Sequence, residues 1–160
     1  MIKIETYLDD YKDQIIDLIL SIQTKEFGIC ITSEQQPDIH DITGFYQTKM
    51  GNFWLALDSN KVVGTIALLD IGGRQAALRK MFVDSNYRGP KPGMAGKLLE
   101  ELLDWSGSKG IREIYLGTTS NFFAAHRFYE KSGFSEIGKS RLPESFPVMK
   151  VDTKFYMKNL

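Results

Sequence analysis

The sequence predicts an α+β fold, a mixed β-sheet with helices packed on its faces. Three observations carry that prediction. Seven apolar runs of strand length are spread along the chain. Three consecutive runs in the middle are separated by tight-turn signals, which joins them into an antiparallel meander. Segments with a 3.6-residue apolar period stand between the runs, so helices interleave with strands.

Ile2 and Ile4 begin a short alternating strand. Asp9 and Asp10 then precede a helix whose apolar positions are Tyr11, Ile15, Leu18, Ile19 and Ile22, with acidic residues at its positive end. The stretch from Ile29 to Met50 is assigned as helical, with Pro37 and Asp38 opening a segment through Ile42, Phe45 and Tyr46. Phe53–Leu57 and Val62–Leu69 read as strands joined at Asp58-Ser59-Asn60-Lys61, and Gly72-Gly73 turns the chain into a third strand, Ala76–Val83. After a Gly- and Pro-rich loop, Met94, Leu98, Leu102 and Trp105 line one face of a helix that Gly107 and Gly110 stop. Ile111–Thr118 is a strand, Asn121–Ser132 a helix closed by Gly133, and Phe134–Gly138 and Met149–Met157 are the last two strands. No repeat, low-complexity tract or linker interrupts this order, so residues 1–160 are expected to form one domain.

Twenty Lys and Arg balance twenty Asp and Glu. Nothing global therefore draws the chain to nucleic acid or to a membrane surface, and neither is expected as a partner. No run approaches the ~20 apolar residues that span a bilayer, and the opening Met-Ile-Lys-Ile-Glu lacks a signal-peptide pattern. A cytoplasmic protein is the simplest expectation. The one cysteine, Cys30, excludes an internal disulfide and a Cys-cluster metal site, and reads as a small buried hydrophobe. His40 and His126 do not make a metal site, so no metal is expected.

The most informative segment runs from Val83 to Leu99: an apolar strand end, the loop Arg88-Gly89-Pro90-Lys91-Pro92, then Gly93-Met94-Ala95-Gly96 opening an amphipathic helix. Such a junction presents unpaired N–H groups with the positive end of a helix dipole behind them, a site for phosphate. A nucleoside-triphosphate loop would need Gly at position 91 and a hydroxyl at 98, where Lys91 and Leu98 stand. A dinucleotide fingerprint lacks its first glycine.

This run resembles the acetyl-CoA-binding motif of the GNAT superfamily of N-acetyltransferases, Arg/Gln-x-x-Gly-x-Gly/Ala, with Gly93-Met94-Ala95 matching its Gly-x-Gly/Ala part. Arg88 precedes Gly93 by five residues instead of three, so the loop is two residues longer. A second match is Ala125-His126-Arg127-Phe128-Tyr129-Glu130-Lys131-Ser132-Gly133-Phe134, similar to the superfamily's Ala-x-x-(apolar)-Tyr-Glu-Lys-x-Gly-Phe; Asn121 sits one residue earlier than that signature's usual Asn. The resemblance implies a mostly antiparallel sheet of about seven strands with helices on both faces, and acetyl-CoA as acyl donor. It implies cofactor contacts from Phe82, Val83, Arg88, Gly89, Gly93, Met94, Ala95, Gly96, Asn121 and Ala125. The pantetheine arm is expected in an opening between the Met81–Val83 and Ile114–Thr118 strands, beside a bulge that fits the poor alternation of Ala76–Val83.

The reaction implied is direct attack of a primary amine, on a small molecule or a peptide, at the thioester carbonyl. It requires amine deprotonation, an oxyanion donor such as a strand N–H near Phe82, and a donor to the departing thiolate, the role the family gives to the tyrosine matching Tyr129. Phe122, Ala125 and Tyr129 share one helical face. The strand glutamate many relatives use as base is missing from Leu78–Val83. Asp70, Glu26, Asp41, His40 or a water chain remain as alternatives, and so does a non-catalytic acyl-CoA-binding or interaction module. Glu26, Glu34, Asp38 and Asp41 favour a cationic acceptor. His126 reads as a surface or capping residue, and Leu142–Pro147 as a loop over the acceptor groove or a contact in a homodimer.

Overall fold

The computed structural model describes residues 1–91 and 93–160; Pro92 of the Gly- and Pro-rich loop lies outside the described residues. Seven strands form one sheet in the order β1-β2-β3-β4-β5-β7-β6. They are β1 (Ile2–Thr6), β2 (Asn52–Asp58), β3 (Lys61–Gly72), β4 (Gln75–Val83), β5 (Glu113–Thr118), β6 (Ser135–Ile137) and β7 (Lys154–Asn159). All neighbours run antiparallel except β4 and β5. Among the described residues four α-helices accompany them: α1 (Lys12–Leu20), α2 (Ile42–Tyr46), α3 (Met94–Lys109) and α4 (Phe123–Lys131). The predicted class, strand number and mostly antiparallel pairing are all present.

The pleat of β2 divides the core. Trp54 and Ala56 face the side that α3 and α4 cover, where Met94, Leu98, Leu102 and Tyr129 are buried. Phe53, Leu55 and Leu57 face the other side, against Ile15 and Ile19 of α1 and Ile42 and Tyr46 of α2. Helices therefore cover both faces, and each buried Leu or Ile contributes about 1.5–3 kcal/mol of transfer free energy. Gly64 lets α3 approach β3: a Cβ there would stand 3.0 Å from Leu98 Cδ1. A third cluster, Ala77, Tyr115, Ile137, Phe146 and Phe155, packs the C-terminal end of the sheet.

Several element boundaries differ from the sequence reading. The first predicted helix changes at Ser21 into wider, π-type turns that run to Glu26. Of the Ile29–Met50 stretch, only a 3₁₀ turn at Pro37–His40 and the short α2 are helical. Gly107 lies inside α3, and Gly110 alone ends it, at φ +81°. The last strand starts at Lys154, not Met149: residues 149–152 turn back on themselves, Asp152 N–H donating to the Met149 carbonyl at 3.0 Å. Cys30 is exposed, a correction to its reading as a buried hydrophobe; it sits in the irregular segment between the π-type turns and Pro37.

Candidate active site

Strands β4 and β5 pair at only three positions, Gln75–Ala77 against Glu113–Tyr115. Beyond Ala77 they part. A cavity of about 130 Å³ occupies the divergence, lined by Leu78–Phe82 of β4, Gly117–Thr119 at the end of β5, and Phe122, Ala125 and Tyr129 at and within α4. On the β3 side, Thr65 pairs with Phe82 and Ala67 with Arg79, leaving Lys80 and Met81 together opposite Ile66. This is the bulge the irregular alternation predicted, and Lys80 adopts φ +52° in it. A non-glycine residue in that region carries about 1–2 kcal/mol of strain, held by Thr65 Oγ1 donating to the Lys80 carbonyl at 2.7 Å.

Tyr129 is buried, with its ring against Phe134 and Tyr156. Its hydroxyl has no hydrogen-bond partner among the described residues, whereas Tyr46 and Tyr156 donate to Asp38 and Glu130. Burial raises the Tyr129 phenol well above its ordinary range, so it stays protonated and remains a donor. The buried His126 bonds the Thr119 carbonyl ahead of α4 at 2.9 Å, so it is an internal capping residue and not a surface one.

At the start of α3, Gly93 takes φ +69°, and neither a side-chain cap nor an acidic residue occupies the first turn. The Gly93 N–H bonds the Gly89 carbonyl and the Lys97 N–H bonds the Gly93 carbonyl, both at 3.2 Å. The amides of Met94, Ala95 and Gly96 open the helix between them. Met94 buries its side chain and can offer only its amide; Gly96 is exposed, and a Cβ on it would meet nothing within 4 Å. Gly89 has φ +97°. These features fit a diphosphate: an open, positively polarised helix end with no acidic residue in its first turn.

Not every expected residue meets the cavity. Val83 is buried at the end of β4, where its carbonyl accepts from Arg88 Nε at 2.8 Å. The Arg88 guanidinium forms a bidentate pair with Glu26, one arm at 2.7 Å, and lies over Phe27, which itself meets Phe122 edge-on. Asn121 lies in the exposed turn before α4, away from the cavity lining.

None of the base candidates Glu26, His40, Asp41 and Asp70 lines the cavity. Glu26 holds Arg88; Asp70 accepts from the Met50 and Gly72 amides; Asp41 caps α2 through the Gly44 amide; His40 is exposed and bonds Ser33. Asp38 is buried, accepting from Tyr46 at 2.5 Å with Lys80 Nζ at 3.5 Å and an Arg79 nitrogen at 3.7 Å. Lys80 also donates to Gln36, which pairs with Gln23. Burial lowers the Lys80 ammonium and Asp38 partly opposes it. Glu26 and Asp38 are already paired with cations, Glu34 and Asp41 are exposed, and none of the four lines the cavity; among the described residues the charged side chains lining it are Arg79, Lys80 and Asp152. Phe146, Pro147, Met149 and Val151 also line the cavity, so the 146–147 end of the 142–147 loop borders it.

A family model described as the acetyltransferase (GNAT) family matches residues 16–134. The chain belongs to the GNAT acetyltransferase family. A crystal structure of a GNAT-family acetyltransferase from Staphylococcus aureus Mu50 superimposes with a TM-score of 0.95, 42% identity and 99% of both chains covered. The N-acetylaspartate synthetase of Xenopus tropicalis is 39% identical over 105 residues, 63% of this chain, which spans only 37% of that protein's length. A PaiA N-acetyltransferase from Thermoplasma acidophilum, solved with coenzyme A, shares the fold at a TM-score of 0.75, 18% identity and 100% coverage of this chain. Within this GNAT fold the residue that sequence reasoning missed is Asp152. The expected Met149–Met157 strand includes it, whereas β7 starts at Lys154, and Asp-Thr before an apolar run is itself a turn signal.

Proposed function

We propose that this GNAT domain transfers an acetyl group from acetyl-CoA to a primary amine by direct attack. The observation that carries the reading is the parting of β4 from β5 beside the unpartnered Tyr129 hydroxyl. Acetyl-CoA supplies the activated thioester. The amides of Met94, Ala95 and Gly96 hold its diphosphate, and the β4 backbone around Phe82, with Ala125 across the opening, borders its pantetheine arm. A strand amide at the bulge receives the oxyanion. Tyr129, kept neutral by burial, hydrogen-bonds the sulfur as the C–S bond breaks.

Arg79 and Lys80 in the wall, two cations that share the one carboxylate of Asp38, favour an acceptor that bears a carboxylate beside its amine. The name of the Xenopus relative, N-acetylaspartate synthetase, points the same way. The test is thiol release from acetyl-CoA across a panel holding L-aspartate, L-glutamate, neutral amino acids and spermidine. Faster turnover of the carboxylated amines supports the reading. Coenzyme A binding without turnover of any amine would replace it with a non-catalytic acyl-CoA-binding module.

A further inference from the structure

We propose, building on the acetyltransferase reading above, that Asp152 is the general base of this site and takes a proton from the acceptor's ammonium group. Asp152 lines the cavity from the segment before β7, across the parted strands from Lys80 and Met81. Its carboxylate lies directly over the β5 backbone at Gly117, where a Cβ would come within 2.6 Å of Oδ2. Residue 117 lacks a side chain, and the carboxylate fills that space at the mouth of the divergence. The Met149 N–H donates to Oδ2 at 2.9 Å, which fixes the group, and Thr153 N–H bonds the Thr118 carbonyl at 2.9 Å, which ties the segment to β5. No cation closes on Asp152 as an ion pair among the described residues, in contrast to Asp38.

The groups that face it are Arg79 and Lys80 from β4 and the Met149 amide from its own loop. Burial raises its pKa above 3.8, the ordinary value, and these three neighbours oppose the rise. That shift brings a carboxylate nearer the pH at which a base works best. The proton balance is complete with the donor already named. Asp152 takes one proton from the ammonium ion, and the freed nitrogen pair forms the C–N bond as the carbonyl π pair moves to oxygen. Collapse restores C=O and breaks C–S, sulfur leaving with the bonding pair. Tyr129 gives its proton to the sulfur and is restored by the nitrogen's surplus proton, and Asp152 returns its own to solvent.

Asp152→Asn separates this role from a structural one, because Asn keeps an oxygen for the Met149 amide but cannot accept the proton. With the fastest amine of the panel, kcat should fall about 10²-fold at pH 7, coenzyme A affinity should stay within about twofold, and the acidic limb of the pH–rate profile should vanish. Retention of the wild-type rate, or of that limb, overturns the assignment. If the wild type binds coenzyme A yet turns over no amine, the acetyltransferase reading fails and this assignment with it. Should the variant not fold, the wild type decides: the acidic limb of its pH–rate profile is expected to follow the titration of the Asp152 carboxyl carbon seen by NMR, and a limb that follows another group overturns the proposal.

Discussion

Gly96→Glu should move the stability and the cofactor affinity of this protein in opposite directions. Gly96 is the third residue of α3, exposed, with open space where its Cβ would be and no acidic neighbour in the first turn. Exchanging Gly for Glu in a helix recovers about 0.5 kcal/mol of propensity. A carboxylate in the first turn adds about 0.5 kcal/mol against the dipole. Together, about 1 kcal/mol raises Tm by about 2–4 °C in a chain of this size. The same charge opposes a bound diphosphate. One negative charge against two, about 6 Å apart in a water-like dielectric, costs about 1.4 kcal/mol, a tenfold loss of affinity. Calorimetric titration of coenzyme A at low and moderate salt measures this, and the penalty should shrink as salt rises. A higher Tm with unchanged Kd would place the diphosphate elsewhere and refute the reasoning.

Tyr129→Phe should leave Tm within about 1 °C, since the hydroxyl has no protein partner among the described residues, while kcat falls at least tenfold in the thiol-release assay. Glu26→Gln should free Arg88 and tighten coenzyme A, whereas Arg88→Ala should weaken it; equal Kd values for both variants would remove Arg88 from the cofactor site. Asp38→Ala strands Lys80, Arg79 and the Tyr46 hydroxyl in a buried setting and should cost about 3–5 kcal/mol in chemical denaturation. Below pH 3.8 the Asp152 carboxyl is protonated in folded and unfolded chains alike. As pH rises the unfolded chain ionises first, so this group's contribution to stability falls up to its raised folded value. Denaturation of wild type and Asp152→Asn from pH 3 to 7 should show that fall in the wild type and not in the variant.

Local signals made most of the fold readable. The Asp58–Lys61 hairpin, the α3 period from Met94 and the turn at Gly72-Gly73 each rest on residues close in sequence, and each stands where it was read. Phe122, Ala125 and Tyr129 were placed on one face by spacing alone and all line the cavity. The partnerships of charges were not readable, because they join distant elements. Asp38 meets Arg79 and Lys80 across some forty residues of sequence, and Arg88 meets Glu26 across 62. Asp152 was invisible for a different reason: its meaning lies in a glycine 35 positions earlier that leaves it room. A carboxylate read as a free acceptor contact, such as Asp38, turns out neutralised by cations that local pattern cannot assign to it.

A crystal structure grown with coenzyme A tests the central claim most directly. The account predicts the diphosphate on the amides of Met94, Ala95 and Gly96, and the sulfur between the Lys80–Phe82 bulge and the Tyr129 hydroxyl. Coenzyme A seated away from the start of α3, or a sulfur out of reach of Tyr129, would contradict it.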